Sequence, residues 1–411
     1  MAFQSTPRRS VSARLPELEL GRKHRPDYLL LILCAVLLSI GLIVVYAISP
    51  ALAQANHTSN NYYVTKQLLA ITLSLGAFFA TANIPLRIWR QAYKPLLVLA
   101  ILATVFALVL PINPAYPAHR WVRLGNFSFQ SVELVKFAVM IWLAGFLAKK
   151  IESGQITNFK QSLKPVIYML VIITVAVAGI QSDLGSTGVM LAMMITMAFV
   201  AGLPFKRIAL VGLIILTVVA LAISVSPYRR ARLQAYLHPT ANCQSTTGYQ
   251  ACQALIAVGS GGIVGLGLGS SVQAYGYLPE AANDSIFAIY AEKFGFIGST
   301  LLLGVMVAFF ARMKTIAERT SDNFSRLIVM GVLSWLSIQA FINIGSMLGL
   351  LPLKGITLPF ISYGGTSVVF VSMAVGLVFQ ISQYTSFTTP RLASNSLRSA
   401  STTPRAAGVR R

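Results

Sequence analysis

Charge is what this sequence has least of. Only 11% of its 411 residues are Asp, Glu, Lys or Arg, against about 25% in a soluble domain, so no ordinary water-facing surface can be built from it. Acids are scarcest, 11 against 33 Lys and Arg. The four His (His24, His57, His119, His238) are scattered and form no metal-ligand spacing, which leaves no metal site to name. No Ser-His-Asp or Cys-His set suggests itself. No Gly-Lys-Ser/Thr follows the Gly-rich stretch from Gly259 to Gly269, so it is not a phosphate loop. No strand–helix–strand unit surrounds it, so it is not a dinucleotide fingerprint either. The preferred reading is a close-packed or re-entrant turn. No cleavable signal peptide is visible, because the first hydrophobic stretch is too long for one and follows a polar tail.

What is there is hydrocarbon. Hydrophobic residues make up 55% of the chain, with a mean hydropathy of +0.70. Apolar stretches begin near Tyr28, Val64, Pro95, Ser131, Pro165, Ser186, Ile208, Ser285, Leu327 and Thr366. Each approaches the roughly 20 residues that a helix needs to cross a bilayer. The fifth and sixth nearly merge, separated by Gln181-Ser182-Asp183. The expected fold is an all-α integral membrane protein of about ten transmembrane helices, with a long extracytoplasmic loop, about 227–284, between helices 7 and 8. Placing both termini in the cytoplasm puts most Lys and Arg on the inside, as the positive-inside bias requires. The net charge of +22 is scattered over short membrane-adjacent segments, so it is not a nucleic-acid signal. The expected organisation is a basic disordered cytoplasmic tail over 1–26, a membrane domain over 27–386 and a second basic tail over 387–411. Both tails suit contact with anionic membrane lipid.

Some charges defy that bias. Lys66, Arg120, Arg123, Lys136, Arg229, Arg230, Arg232, Lys293 and Lys354 fall within or outside the membrane, as do Glu133, Asp183, Glu280, Asp284 and Glu292. Such charges are expensive and tend to mark functional cavities. Surplus cations at the outer face fit an anionic ligand such as a lipid-linked diphosphate. Singly, each has a duller reading. Glu133 and Lys136 sit three apart on a helix and can neutralise each other. Asp284 and Asp183 can cap the helices that follow them. Cys34 lies within the first span, whereas Cys243 and Cys252 share the outside loop. Disulfides persist in that compartment, and the intervening Ser245-Thr246-Thr247-Gly248 allows a tight reversal, so Cys243 and Cys252 are a disulfide candidate.

Several runs together resemble the SEDS family (FtsW, RodA, SpoVE). They are Tyr277-Leu278-Pro279-Glu280-Ala281-Ala282-Asn283-Asp284-Ser285-Ile286-Phe287-Ala288, with Ala291-Glu292-Lys293-Phe294-Gly295, and Pro352-Leu353-Lys354-Gly355-Ile356-Thr357-Leu358-Pro359-Phe360-Ile361-Ser362-Tyr363-Gly364-Gly365. Arg120-Trp121, Gln130 through Lys136, Gln181 through Gly185, and Gln253 through Gly262 add to them. The resemblance covers about residues 27–386 and implies ten membrane helices. It also implies a peptidoglycan glycosyltransferase that polymerises lipid II at the outer leaflet with a class B penicillin-binding protein. The family's essential Asp maps onto Asp284, expected to act as general base. Arg120, Arg123, Lys136 and Lys354 are the candidate phosphate binders, Glu133 is expected to orient Lys136, and Glu280 is counted with them as a substrate-binding residue. Three departures from the family pattern are Ser285 where Phe is usual, Ala282-Asn283 for His-Thr, and no Pro after Gln130.

No cofactor is implied, and a divalent cation stays open. A lipid II flippase would use the same charges along a translocation path, but their clustering outside favours surface chemistry. A scaffold role would leave Asp284 dispensable. Lys354-Gly355 with Thr357-Leu358-Pro359, Pro279-Glu280-Ala281 and the N-terminal extension resemble FtsW more than RodA. That implies septal synthesis alongside other division proteins.

Overall fold

In hydrocarbon every backbone N–H and C=O must find its partner within its own segment, so long apolar runs fold as helices. The computed structural model describes residues 24–109, 121–124, 127–225, 227–237, 243 and 248–385. Ten helical rods follow in order: α1 (Tyr28–Ala55), α2 (Tyr62–Asn83), α3 (Leu86–Val109), α4 (Ser131–Glu152), α5 (Phe159–Ile180), α6 (Leu184–Val200) and α7 (Phe205–Val225), then α10 (Ile286–Arg319), α11 (Asn323–Met347) and α12 (Gly365–Ser382). Two shorter helices, α8 (Pro227–Leu237) and α9 (Tyr249–Ser260), lie between α7 and α10. Eight of the rods are long and apolar enough to cross a membrane, and α6, with 17 residues, is just shorter. This is a multi-pass membrane protein.

Short polar residues start several of these helices. Asp27 Oδ1 accepts from Leu30 N at 3.1 Å, Asp183 Oδ1 from Ser186 N at 3.0 Å and Asp322 Oδ2 from Ser325 N at 2.9 Å. Each satisfies one of the four N–H groups that a helix start leaves over, so Asp183 does cap α6. α3 begins at Leu86, ahead of the expected Pro95, which lies inside it. Neighbouring helices make an interior Pro tolerable in a membrane span. The fifth rod opens and closes with π-helical segments, Phe159–Leu163 and Thr174–Ile180. The fold is not wholly α: β1 (Trp121–Leu124) pairs antiparallel with β2 (Phe127–Gln130), Trp121 opposite Gln130 and Arg123 opposite Ser128. Period-2 patterning over four residues is too short to stand out beside the helical signal.

α4 is buried along most of its length, whereas α3 and α5 keep an apolar face outward through Leu99, Leu102, Tyr168 and Val171. The centre is therefore covered by helices that themselves face lipid. Close approach is built in: a methyl group on Gly331 of α11 would lie 2.7 Å from Met140 Cγ and 2.9 Å from Met197 Sδ.

The segment expected as a loop of 227–284 holds α8, α9 and a glycine turn. α10 breaks at Gly295, whose φ is 63°. The turn bonds across that break. Leu266 N donates to Glu292 O at 2.9 Å and Gly267 N to Lys293 O at 3.0 Å, while Phe296 N donates to Gly262 O at 2.9 Å. A Cβ on Gly295 would run into Gly265 N, and one on Gly265 into Lys293 O. The glycines are there for backbone contact, as the close-packed reading requires. The side chains of α10 at this level bind the same strap: Glu292 accepts from Val272 N at 2.9 Å, and Lys293 Nζ donates to Leu268 O.

Candidate active site

The two longest motifs of the sequence meet in space. The segment 279–285 packs on the segment 352–364, and four bonds join them to each other and to α11. Tyr363 N donates to Ala282 O at 2.8 Å, and Ser362 Oγ to Asn283 O at 2.6 Å. Asn343 of α11 donates through Nδ2 to both Asp284 O and Ile356 O, each at 2.7 Å. One turn earlier Gln339 Nε2 donates to Thr357 O at 2.9 Å. The second segment is itself held deep in the bundle. Phe360, at φ 67°, is buried, and a methyl on Gly41 of α1 would lie 2.6 Å from its carbonyl oxygen.

Asp284 is where they touch. The helix after it is preceded by Ser285, so Asp284 does not serve as its cap. Its Oδ1 is buried without a hydrogen-bond partner, and a methyl on Gly355 would lie 3.6 Å from its Oδ2. Burial, then the charge of Glu280, push the Asp284 carboxyl up to about 7, against the opposing pull of nearby backbone N–H groups and Gln250. A carboxyl so poised can exchange a proton near neutral pH. Glu280 is exposed and caught in a tight turn at φ 52°, its Oε2 accepting from Asn283 Nδ2 at 2.5 Å. Lys354, half-buried, adjoins Gly355, the residue that approaches the acid, and its Cβ lies 3.3 Å from where a methyl on Gly185 would stand.

The other expected residues separate. Lys136 Nζ is bound to Glu133 Oε1 at 2.7 Å and to Gln339 Oε1 at 3.2 Å, and it lies 5.3 Å from the Trp335 ring centre. Lys136 is 1% exposed and Glu133 3%. The pair is therefore inside the bundle, tied through Gln339 to the segment beside Asp284, and Lys136 has no open face toward a ligand in this conformation. Glu133 Oε2 is left without a hydrogen-bond partner. Arg123 lies on β1. Arg120 lies outside the described residues. Cys243 and Cys252 are joined, Cα atoms 5.3 Å apart, and Cys34 is a buried free thiol. Among the described residues no group of His, Cys, Asp and Glu could hold a metal ion.

Sequence reasoning missed Gln250, Gln339, Asn343 and Ser362. A signal existed for two of them. Trp335, Gln339 and Asn343 recur every four residues, one hydrogen-bonding stripe along a helix that is mostly apolar.

A family model described as cell cycle protein, covering FtsW, RodA and SpoVE, matches residues 28–387. Stage V sporulation protein E of Bacillus subtilis is 37% identical over 367 residues, 89% of this chain and 99% of that one. A probable peptidoglycan glycosyltransferase FtsW of Saccharophagus degradans is 37% identical over 362 residues, 87% and 92% of the two chains. Among solved structures, a chain of a peptidoglycan synthase complex that coordinates polymerization and crosslinking superposes with a TM-score of 0.69 at 26% identity, covering 87% of this chain and 98% of that one. The rod shape determining protein RodA of Thermus thermophilus superposes at 0.61 with 25% identity, over 87% and 97% of the chains.

Proposed function

The chain belongs to the FtsW/RodA/SpoVE family of cell cycle proteins, and from that premise we propose how it works as a peptidoglycan glycosyltransferase. The substrate is lipid II, and the reaction joins two saccharides at the outer leaflet. The GlcNAc 4-hydroxyl of one lipid II attacks the anomeric carbon of the growing chain, whose bond to a polyprenyl diphosphate breaks. The hydroxyl proton goes to Asp284, and the electron pair of the broken bond leaves with the diphosphate. An α-linked donor and a β-linked product need one displacement and one base, not the paired carboxylates of glycosidases.

The observation that carries this reading is the placing of Asp284. Asn343 and Ser362 hold the backbone of its loop, while its carboxyl is left short of donors and so retains basicity near pH 7. Lys354 stands on the apposed segment and is assigned to the departing diphosphate, together with Arg120 and Arg123. Glu280 keeps negative charge near the acid. Lys136 and Glu133 support the site from within, by fixing Gln339 and through it the segment that carries Lys354.

In this reading both termini are cytoplasmic and the Asp284 end faces outward. A class B penicillin-binding protein supplies the crosslinking partner. The FtsW-like features of Lys354-Gly355 and Pro279-Glu280-Ala281 support a role at the division septum with other divisome proteins. The test is polymer formation from labelled lipid II by the full-length protein, purified in detergent with its transpeptidase. Detergent abolishes the two leaflets, so chain growth there cannot be transport. Glycan strands from the native protein and none from Asp284→Asn are expected. Equal polymer from both would remove Asp284 from the reaction.

A further inference from the structure

Asp284 is reached from a direction the mechanism has not used. α9 runs past the acid, and Gln250 in its first turn donates through Nε2 to Ser285 Oγ at 3.0 Å. That hydroxyl in turn donates to Pro279 O at 2.9 Å. Ser285 thus has its donor and an acceptor position both engaged, one across the loop and one to α9, and is itself fully buried. Gln250 also lies close enough to the Asp284 carboxyl to favour its ionised form. Asp284 and Ser285 are consecutive, so fixing the Ser285 side chain fixes the peptide that carries the acid.

Gln250 is in turn held by what brackets it. Cys243 is bonded to Cys252, two residues beyond Gln250, and Cys252 N donates to Gly248 O at 3.0 Å to close the first turn of α9. A crosslink that closes so short a loop removes much of the freedom of the residues inside it.

We propose that Gln250 is a positioning residue for Asp284, acting through Ser285 Oγ, and that the Cys243–Cys252 bridge keeps it in place. The proposal rests on Asp284 being the base. Among the described residues, α9, α11 and the 352–364 segment meet Asp284 or its backbone, and the charges on them are few. α9 brings no charged side chain in Tyr249–Ser260, α11 brings Asn343 at this level, and the 352–364 segment brings Lys354. On its own loop the charged neighbour is Glu280. Loss of the Gln250 amide therefore leaves Glu280 less opposed, and the acid keeps its proton to higher pH.

The experiment is the pH profile of lipid II polymerisation by the full-length protein with its transpeptidase. In Gln250→Met, near in shape but without the donor, the acid limb should move up by roughly one pH unit, a loss of about tenfold on that limb, with a smaller loss on the alkaline plateau. Gln250→Glu should move it further in the same direction. Ser285→Ala combined with Gln250→Met should add little to either alone, since the two share one bond. Reduction of the native protein, verified by alkylation of the opened thiols, should shift the limb the same way and requires no variant to fold. A limb that stays put in Gln250→Met and after reduction, while Asp284→Asn is inactive, overturns the proposal and leaves the base intact. Activity in Asp284→Asn instead overturns the base on which it rests.

Discussion

Replacing Asp284 by Asn should do two things at once: stop polymerisation and make the protein more stable. Loss of a general base costs typically 10²–10⁴-fold in rate. The gain in stability follows from the same burial that poises the acid. Its carboxyl rises from 3.8 to about 7 on folding. At about 1.4 kcal/mol per unit, holding it ionised in the folded protein costs at most about 4 kcal/mol, and relaxation around the charge brings the expected figure to roughly 1–4 kcal/mol. Between those two pH values the folded chain binds the proton that the unfolded chain has released. Stability therefore falls as pH rises from about 4 to about 7 and stays low above that. Asn has no charge to desolvate and escapes the penalty. Thermal unfolding in one detergent, followed at about pH 5 and about pH 8, measures the difference. The variant should outlast the native protein at the higher pH, and the gap should shrink at the lower. A variant that melts earlier at about pH 8, or one whose advantage is the same at both, would refute the reasoning, because the buried carboxyl would then not be paying for its place.

The Glu133–Lys136 pair gives a second test. Lys136→Met alone leaves a buried carboxylate uncompensated and should cost about 3–5 kcal/mol, whereas Glu133→Gln with Lys136→Met should restore folding. If the double variant also regains polymerisation, the pair is structural and its cation is not required by the substrate. Gly295→Ala forces a side chain onto Gly265 N at a positive φ and should lower folded yield sharply, read by monodispersity after extraction. Alkylation of the unfolded, unreduced protein should label Cys34 alone, and removing the Cys243–Cys252 bridge should cost roughly 2–3 kcal/mol on the chain-entropy model. A fluorescent fusion should collect at mid-cell, and a signal spread along the lateral wall with none at the division plane would assign the protein to elongation.

The helices were legible because a membrane span declares itself by length and hydropathy. The break at Gln181-Ser182-Asp183 was visible as polar punctuation, and the cap on α6 fills it. Asp284, Lys354 and their two motifs could be read from resemblance, but their meeting could not: it depends on Asn343 and Ser362, single amide and hydroxyl groups that look like ordinary polar residues until both their acceptors are known. Lys136 shows the opposite failing. Its charge stood out in the sequence, yet three partners enclose it, and enclosure is a tertiary fact that no spacing of Glu133 and Lys136 encodes. The β1–β2 hairpin escaped for want of length.

The polar stripe on α11 has a consequence for life in a bilayer of changing thickness. At 25 residues this helix is about 37 Å long, against a hydrocarbon core of about 30 Å. Such an excess is accommodated mainly by tilting. Asn343 holds Asp284 and Ile356 together, and Gln339 holds Thr357, so the acid and the segment bearing Lys354 share α11 as a common support. When α11 leans, both are carried with it, and the distance between them is spared. A change of bilayer thickness that tilts α11 is therefore expected to move the two segments together, with less effect on the distance between them than on their depth.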